Sequence, residues 1–422
     1  MVPLHQPSAG PPSPLGEEWV NICFVSRRFF PAISGMSIYA ANLLRELVAQ
    51  GHAVTMISQY RGDAFGRSVY GGGSPPEVPG VRVIGLEQLG EQEGGDFERD
   101  IDTMVQTIAA EHARAPFDVL HAQYGYPTGW AALIAGQRLG LPVAVSIQGG
   151  DGHWVGSCCE THRLAMVRVL DHANAVMIGG ESFAREVHDR LSTAMNRFTF
   201  VPGAVDTTRF TPGTLGESDT VRILYHGRVD RRKGVLDFVE ACARLEGGWS
   251  ATISGIGPDL AAAREMVAER GLESRVTFTG YADYADVPQI YHGHQVFASP
   301  TYAEGFSNTI LEAMASGLAI VSCHAVGVSD CVRDGENGLL VEPGDVSALT
   351  KALQRLLDDA GLRRCLADNA LEECRATYSW EVVGRIVCDV YARIRDGGPP
   401  ALFDEALPFD PACRFRREPH LL

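Results

Sequence analysis

Ser299-Pro-Thr-Tyr-Ala-Glu304-Gly-Phe-Ser-Asn-Thr-Ile-Leu-Glu312-Ala-Met-Ala-Ser-Gly317 decides how this chain reads. It follows the apolar run 295–298, which reads as a strand, and residues 309–316 carry the apolar spacing of a helix. A turn containing Gly, Ser and Asn therefore joins a strand end to a helix start, with Glu304 in the turn and Glu312 inside the helix. Such a helix start offers unpaired backbone N–H groups and a positive dipole end, which suits a phosphate. Glu312 lies more than one turn beyond that entrance, within reach of a sugar hydroxyl on a nucleotide held there.

Working outward, the same alternation fills the second half of the chain. Strands are expected at 221–225, 250–254, 275–279, 295–298 and 319–322, with helices near 234–245, 258–271, 286–292 and 309–316. The first half repeats the pattern, with strands at 20–26, 53–58, 81–86, 119–122, 143–147, 175–178 and 198–201 and a helix over 37–50 stopped by Gly51. Alternating strand and helix imply parallel sheets covered on both faces. The expected fold class is α/β, two Rossmann-like doubly wound domains facing a cleft, where open α/β sheets bind ligands at their carboxyl ends. The boundaries read as a disordered tail at 1–18, a first domain at 19–206, a linker at 207–220 rich in Thr, Gly and Pro, and a second domain at 221–378. A helix at 379–395 returns to the first domain, and 396–422 forms a loosely attached tail.

Composition narrows the function classes. The chain has 422 residues, 45% of them hydrophobic, and a net charge of −16, which disfavours bulk nucleic-acid binding and gives no general attraction to anionic lipid. No apolar run reaches the length of a membrane span, so no transmembrane segment is expected, and peripheral membrane contact stays open. The first residues lack the basic and apolar regions of a signal peptide, and the ten cysteines show no paired metal-ligand spacing. Reduced thiols in a cytoplasmic protein, with no metal site and no cofactor, are the expectation.

Several motifs carry candidate chemistry. Gly227-Arg228-Val-Asp-Arg-Arg-Lys233-Gly234 follows the first strand of the second domain, and its Arg228 and Lys233 suit a diphosphate, one as a fork and one as a point charge. A solvated basic turn is the bland alternative, and Arg231 and Arg232 are read that way. In the first domain, Gly35 permits close backbone approach to an anion and Ser37 is a fair helix cap. His121 and Gln148 each end a strand, with Asp151 shortly after. A lone His at a strand end is more often a hydrogen-bonded structural residue than a catalyst. Three strings are set aside: Asp100-Ile-Asp102 inside a polar helical pattern, His292-Gly-His294 without further ligands, and Gly255-Ile-Gly257 without a third glycine.

The run Phe297-Ala-Ser-Pro300, Glu304-Gly-Phe306, Leu311-Glu-Ala-Met-Ala315 and Gly317, with Gly227-Arg228 and Lys233-Gly234, resembles the retaining nucleotide-sugar glycosyltransferases of family four, which have the GT-B fold. The resemblance covers about 21–394 and is strongest over 226–344. It implies transfer of a hexosyl group from a nucleoside diphosphate sugar, UDP- or GDP-linked, to an acceptor hydroxyl with retention and without metal. It places the acceptor on the first domain and the donor on the second. Arg228 and Lys233 would then contact the leaving diphosphate, Glu304 the transferred sugar and Glu312 the ribose. Gly305 and the amides of Phe306, Ser307, Asn308 and Thr309 would face the phosphates, Gly257 the base and Gly35 the donor. His121, Gln148 and Asp151 would orient sugar or acceptor. The family frequently has His where Gln148 stands, so an imidazole proton transfer is missing at that place. A glucan synthase or phosphorylase, a nucleotide-sugar epimerase, and a non-catalytic nucleotide-sugar-binding partner are the competing readings.

Overall fold

A computed structural model describes residues 19–27, 29, 35–62, 73–149, 155–214 and 220–418, apart from the side chain of Val155. Short apolar runs flanked by turn residues become buried parallel strands, as their length and β-branched content dictate. The first sheet has the order β3-β2-β1-β4-β5-β6-β7. Its strands are β1 Asn21–Ser26, β2 Ala53–Tyr60, β3 Val81–Glu87, β4 Val119–Gln123, β5 Val143–Ile147, β6 Ala175–Ile178 and β7 Phe198–Phe200. The second sheet runs β10-β9-β8-β11-β12-β13. It comprises β8 Val221–His226, β9 Trp249–Ser254, β10 Val276–Gly280, β11 Val296–Ser299, β12 Ala319–Cys323 and β13 Leu339–Val341.

Both sheets reverse their strand order beside a central strand. β1 pairs in parallel with β2 on one side and β4 on the other. β8 likewise stands between β9 and β11. At such a reversal the connections on either side leave in opposite directions, which opens a crevice at the carboxyl ends of the strands.

The chain divides into two compact units, one of 1–147, 154–177 and 384–422, the other of 148–153 and 178–383. The core of the second unit is apolar throughout, with Ile223, Leu224, Phe238, Phe297, Leu311 and Ile320 fully buried. Its late helices Val346–Asp358 and Ala360–Thr377 are each capped by an aspartate, Asp345 and Asp359, accepting from a first-turn amide.

In the first unit, the last part of the helix Trp380–Arg395 contributes Cys388 and Tyr391 to the core. Cys388 Sγ lies 3.0 Å from Gln50 and 3.2 Å from His52. The closing segment differs from the loose tail expected. Cys413, Phe415 and Arg416 are buried, and Arg168 and Arg138 bind the Ala406 carbonyl and the Glu405 carboxylate. Arg416 pairs with Glu98. Arg138 and Arg168, invisible as partners in sequence, thus help to fasten this stretch, as do Thr161 and Asn174, which donate to the Pro408 and Gly398 carbonyls.

Candidate active site

β8 and β11 are neighbours at the reversal of the second sheet, and the loops that leave their carboxyl ends bring the candidate residues together. The turn after β8 approaches the turn after β9 backbone to backbone. A Cβ on Gly255 would lie 1.8 Å from the Gly227 carbonyl oxygen, and one on Gly257 would lie 2.2 Å from that of Val229. Gly255 also has φ 137, a conformation that side chains resist. Gly257 thus serves the packing of these two turns.

The cations divide by partner. Lys233 Nζ lies 2.7 Å from Glu304 Oε2 and donates to the Ala303 carbonyl at 3.1 Å. Residues 71 apart in the chain thereby meet at one point beyond the strand ends. Arg228 is half exposed, its Nε 3.2 Å from Asp230 Oδ2. Asp230 also binds Arg232 at 2.9 Å, and the hydrogen bond from that guanidinium holds its carboxyl down at about 2. Arg231 pairs with Asp259 at 2.6 Å. Arg231 and Arg232 are exposed, as read from sequence, yet each has an acidic partner.

The Glu304 turn is held from several sides. The Glu304 amide donates to Val326 at 2.9 Å and that of Tyr302 to the Arg232 carbonyl at 3.0 Å. Gly327, behind it, has φ 73, and a Cβ there would stand 2.5 Å from the Glu304 carbonyl. The Gly327 amide donates to Ser182 Oγ, whose hydroxyl in turn reaches Asp330 Oδ2 at 2.6 Å. Val326, Gly327, Ser182 and Asp330 are supporting residues that sequence spacing gave no reason to select. Gly305 abuts Gly149, where a Cβ would meet the amide nitrogen at 2.4 Å, so Gln148 and the Glu304 turn are brought close. Phe306 packs against Tyr378 with ring centroids 5.7 Å apart.

The helix Asn308–Ala315 begins after Ser307, whose side chain makes no capping bond to it. The Ser307 hydroxyl sits 3.3 Å from that of Thr309 instead. The first turn therefore keeps its dipole end without a side-chain cap, directly after Gly305 and Phe306.

Glu312 is the chemically unusual member. It is 7% exposed and accepts a hydrogen bond from Tyr291 Oη at 2.8 Å. Burial raises its pKa from 4.5 to about 7, opposed by the Tyr291 bond and the nearby charge of Arg209. Arg209 itself lies 3.9 Å over the Tyr284 ring and donates to the Tyr284 carbonyl. The helical spacing that placed Glu312 more than one turn past the helix entrance says nothing of this pocket, which residues 209, 284 and 291 supply from other elements.

The first-unit candidates fare differently. His121 is fully buried, with Nδ1 2.6 Å from Tyr391 Oη and Nε2 2.7 Å from Ser146 Oγ. Burial lowers its pKa to about 3, so the ring stays neutral. The acceptor-binding role expected for His121 is corrected to a core role, because both ring nitrogens are occupied inside the fold. Gly35 is exposed at the start of the helix Gly35–Ala49. Asp151 lies outside the described residues. Asp100 of the discarded Asp-x-Asp string is buried and accepts from the Gly90 and Glu91 amides at 2.9 and 2.8 Å. His294 is bonded to Ile290 and Thr252.

The chain is similar to known proteins in sequence and in fold. Residues 220–359 match the family model described as glycosyl transferases group 1, and 34–204 match that of the glycosyl transferase 4-like domain. The chain is 24% identical over 408 residues to a glycogen synthase of Mycobacterium tuberculosis, covering 90% of this chain and 96% of that protein. Among solved structures it is similar to sucrose-phosphate synthase from Thermosynechococcus elongatus, with TM-score 0.74, 25% identity, and 90% and 100% of the two chains covered. Anabaena HepE in complex with UDP-glucose is similar in fold, with TM-score 0.66, 17% identity, and 89% and 100% covered. Two parallel Rossmann-like halves, a candidate site at the strand reversal of the second and these matches lead to one conclusion: the chain belongs to the group 1 glycosyltransferases and has the GT-B fold.

Proposed function

We propose that this glycosyltransferase moves a hexosyl group from a UDP- or GDP-sugar to an acceptor hydroxyl, with retention of anomeric configuration and without a metal in the transfer step. The observation that carries the proposal is the meeting of Lys233 and Glu304 at 2.7 Å, beside the uncapped start of the helix Asn308–Ala315. The Lys233 ammonium and the half-exposed Arg228 guanidinium, on the turn after β8, and the helix dipole beyond the turn after β11 are the groups offered to neutralise a leaving diphosphate. Arg228 and Lys233 bind that diphosphate, the amides of 306–309 face its oxygens, and Glu304 contacts the transferred sugar. Glu312, buried against Tyr291, accepts from the ribose hydroxyls.

The step is front-face. The bond from the anomeric carbon to the diphosphate oxygen breaks with its electron pair going to phosphate. The acceptor oxygen adds to the same face, and its proton passes to the phosphate oxygen. Neutral Gln148 can orient the sugar by donating and accepting hydrogen bonds but titrates no proton.

Mixing purified protein with UDP-glucose or GDP-mannose and a panel of glucan oligosaccharides and sugar phosphates tests this reading. A product whose anomeric configuration matches the donor, by NMR, is expected. An inverted product refutes the mechanism, and nucleotide binding without hydrolysis or transfer to any hydroxyl supports the non-catalytic alternative.

A further inference from the structure

Outside that site, one group of side chains in the first unit has no role in the chemistry above. Cys158 and Cys159 precede the helix Glu160–His172, His162 lies in its first turn, and Cys413 arrives from the closing segment. Their ligand atoms all lie within 4.8 Å of one another. Cys158 Sγ is 3.8 Å from Cys159 Sγ, and Cys413 Sγ is 3.7 Å from His162 Nδ1. Zinc bonds of ~2.3 Å to sulfur and ~2.0–2.1 Å to nitrogen set tetrahedral edges of roughly 3.8 Å between sulfurs and 3.5 Å between sulfur and nitrogen. Both measured separations fit those edges. A third separation, Cys158 Sγ to His162 Nδ1 at 2.8 Å, is a hydrogen bond that a bound ion would replace.

The surroundings favour a closed site. His162 is fully buried and Cys413 is 1% exposed. The imidazole is enclosed by Tyr126, Phe97 and Phe415, at ring separations of 4.4, 5.7 and 6.0 Å. Among the described residues its Nε2 has no hydrogen-bond partner, so Nδ1, aimed at the sulfurs, is the nitrogen with polar neighbours. Three thiols around one buried imidazole, two of them, Cys158 and Cys159, half-buried, form a poor hydrogen-bond network and a good soft-donor set.

We propose that Cys158, Cys159, His162 and Cys413 bind one zinc ion as a closed structural site that staples the closing segment onto the first unit. Four protein ligands leave no open position, so the ion supplies structure and no Lewis-acid chemistry. Sequence spacing hides the site because Cys413 and His162 are 251 residues apart. It shares no residue with the Lys233–Glu304 site, and it stands or falls independently of the transfer mechanism.

The test uses the full chain, expressed with zinc supplied and purified without chelator. Metal analysis is expected to give ~1 zinc per chain, the stoichiometry of one four-ligand site. The ion should be lost in Cys413→Ser and kept in Cys365→Ser, an exposed cysteine outside the group. Cobalt exchanged into the unaltered protein should give the absorption of a tetrahedral ion with three thiolate charge-transfer contributions, which decides the matter even if Cys413→Ser folds poorly. The proposal is overturned by a zinc-free protein with no cobalt spectrum, by full zinc retention in Cys413→Ser, or by an intact mass two hydrogens short that maps to a disulfide among these cysteines.

Discussion

Replacing Glu312 by Gln is expected to stabilise the second unit in a pH-dependent way. The folded carboxyl has a pKa of about 7, set chiefly by burial, against an ordinary 4.5 when the chain is unfolded. The folded state therefore holds the proton more tightly. That stabilisation is fully present below about 4.5 and is lost as pH rises through about 7. At ~1.4 kcal/mol per tenfold change in proton affinity, the loss amounts to about 3 kcal/mol by pH 8. Gln keeps the shape and can still accept from Tyr291 Oη, but carries no charge to bury. For a unit of this size, ~3 kcal/mol corresponds to a Tm raised by about 6–12 °C at pH 8. The gain should shrink towards zero at pH 5. Intrinsic-fluorescence melting of both proteins at a series of pH values measures it. A Gln variant that melts lower at pH 8, or is equally stabilised at pH 5 and pH 8, refutes the reasoning.

Three further outcomes are expected. Arg228→Ala and Lys233→Ala should each retain the fold and lower kcat/KM by ~100-fold, the scale of one preorganised charge-stabilising donor; near-normal turnover in both, at subsaturating donor, removes them from the diphosphate site. Glu312→Ala should weaken binding of free nucleoside diphosphate by roughly ten- to 150-fold while Glu304→Ala leaves it little changed, with turnover lost in both; calorimetry reads the contrast, and the reverse pattern exchanges the two roles. Gly255→Ala should cost at least ~2 kcal/mol, because the residue would hold φ 137 with its Cβ 1.8 Å from a carbonyl oxygen; thermal melting checks it, and an unchanged Tm contradicts the close approach.

Much of the fold was legible because its signals are local. The strands Val143–Ile147 and Ala175–Ile178 fall on the residues read from their apolar runs, and the helix expected at 379–395 is found at Trp380–Arg395. The three-residue β13 went unread, since Leu339–Val341 is too short to show a period. The site divides the same way. Arg228, Lys233 and Glu304 could be selected because strand ends and turns announce them. The burial of Glu312 could not, because Tyr291 and Arg209 come from distant elements. His121 misled for the same reason, its partner Tyr391 being 270 residues on. The cysteine group is the extreme case.

That long separation has a consequence in time. The ribosome emits the first unit's strands long before it emits Cys388, Tyr391 and Cys413, which complete their packing. At ~5–20 residues per second, His121 waits roughly 15–50 s for the hydroxyl that satisfies its Nδ1. During that interval the second unit, made almost wholly of one continuous stretch, can finish folding, so the half that begins first is the half completed last.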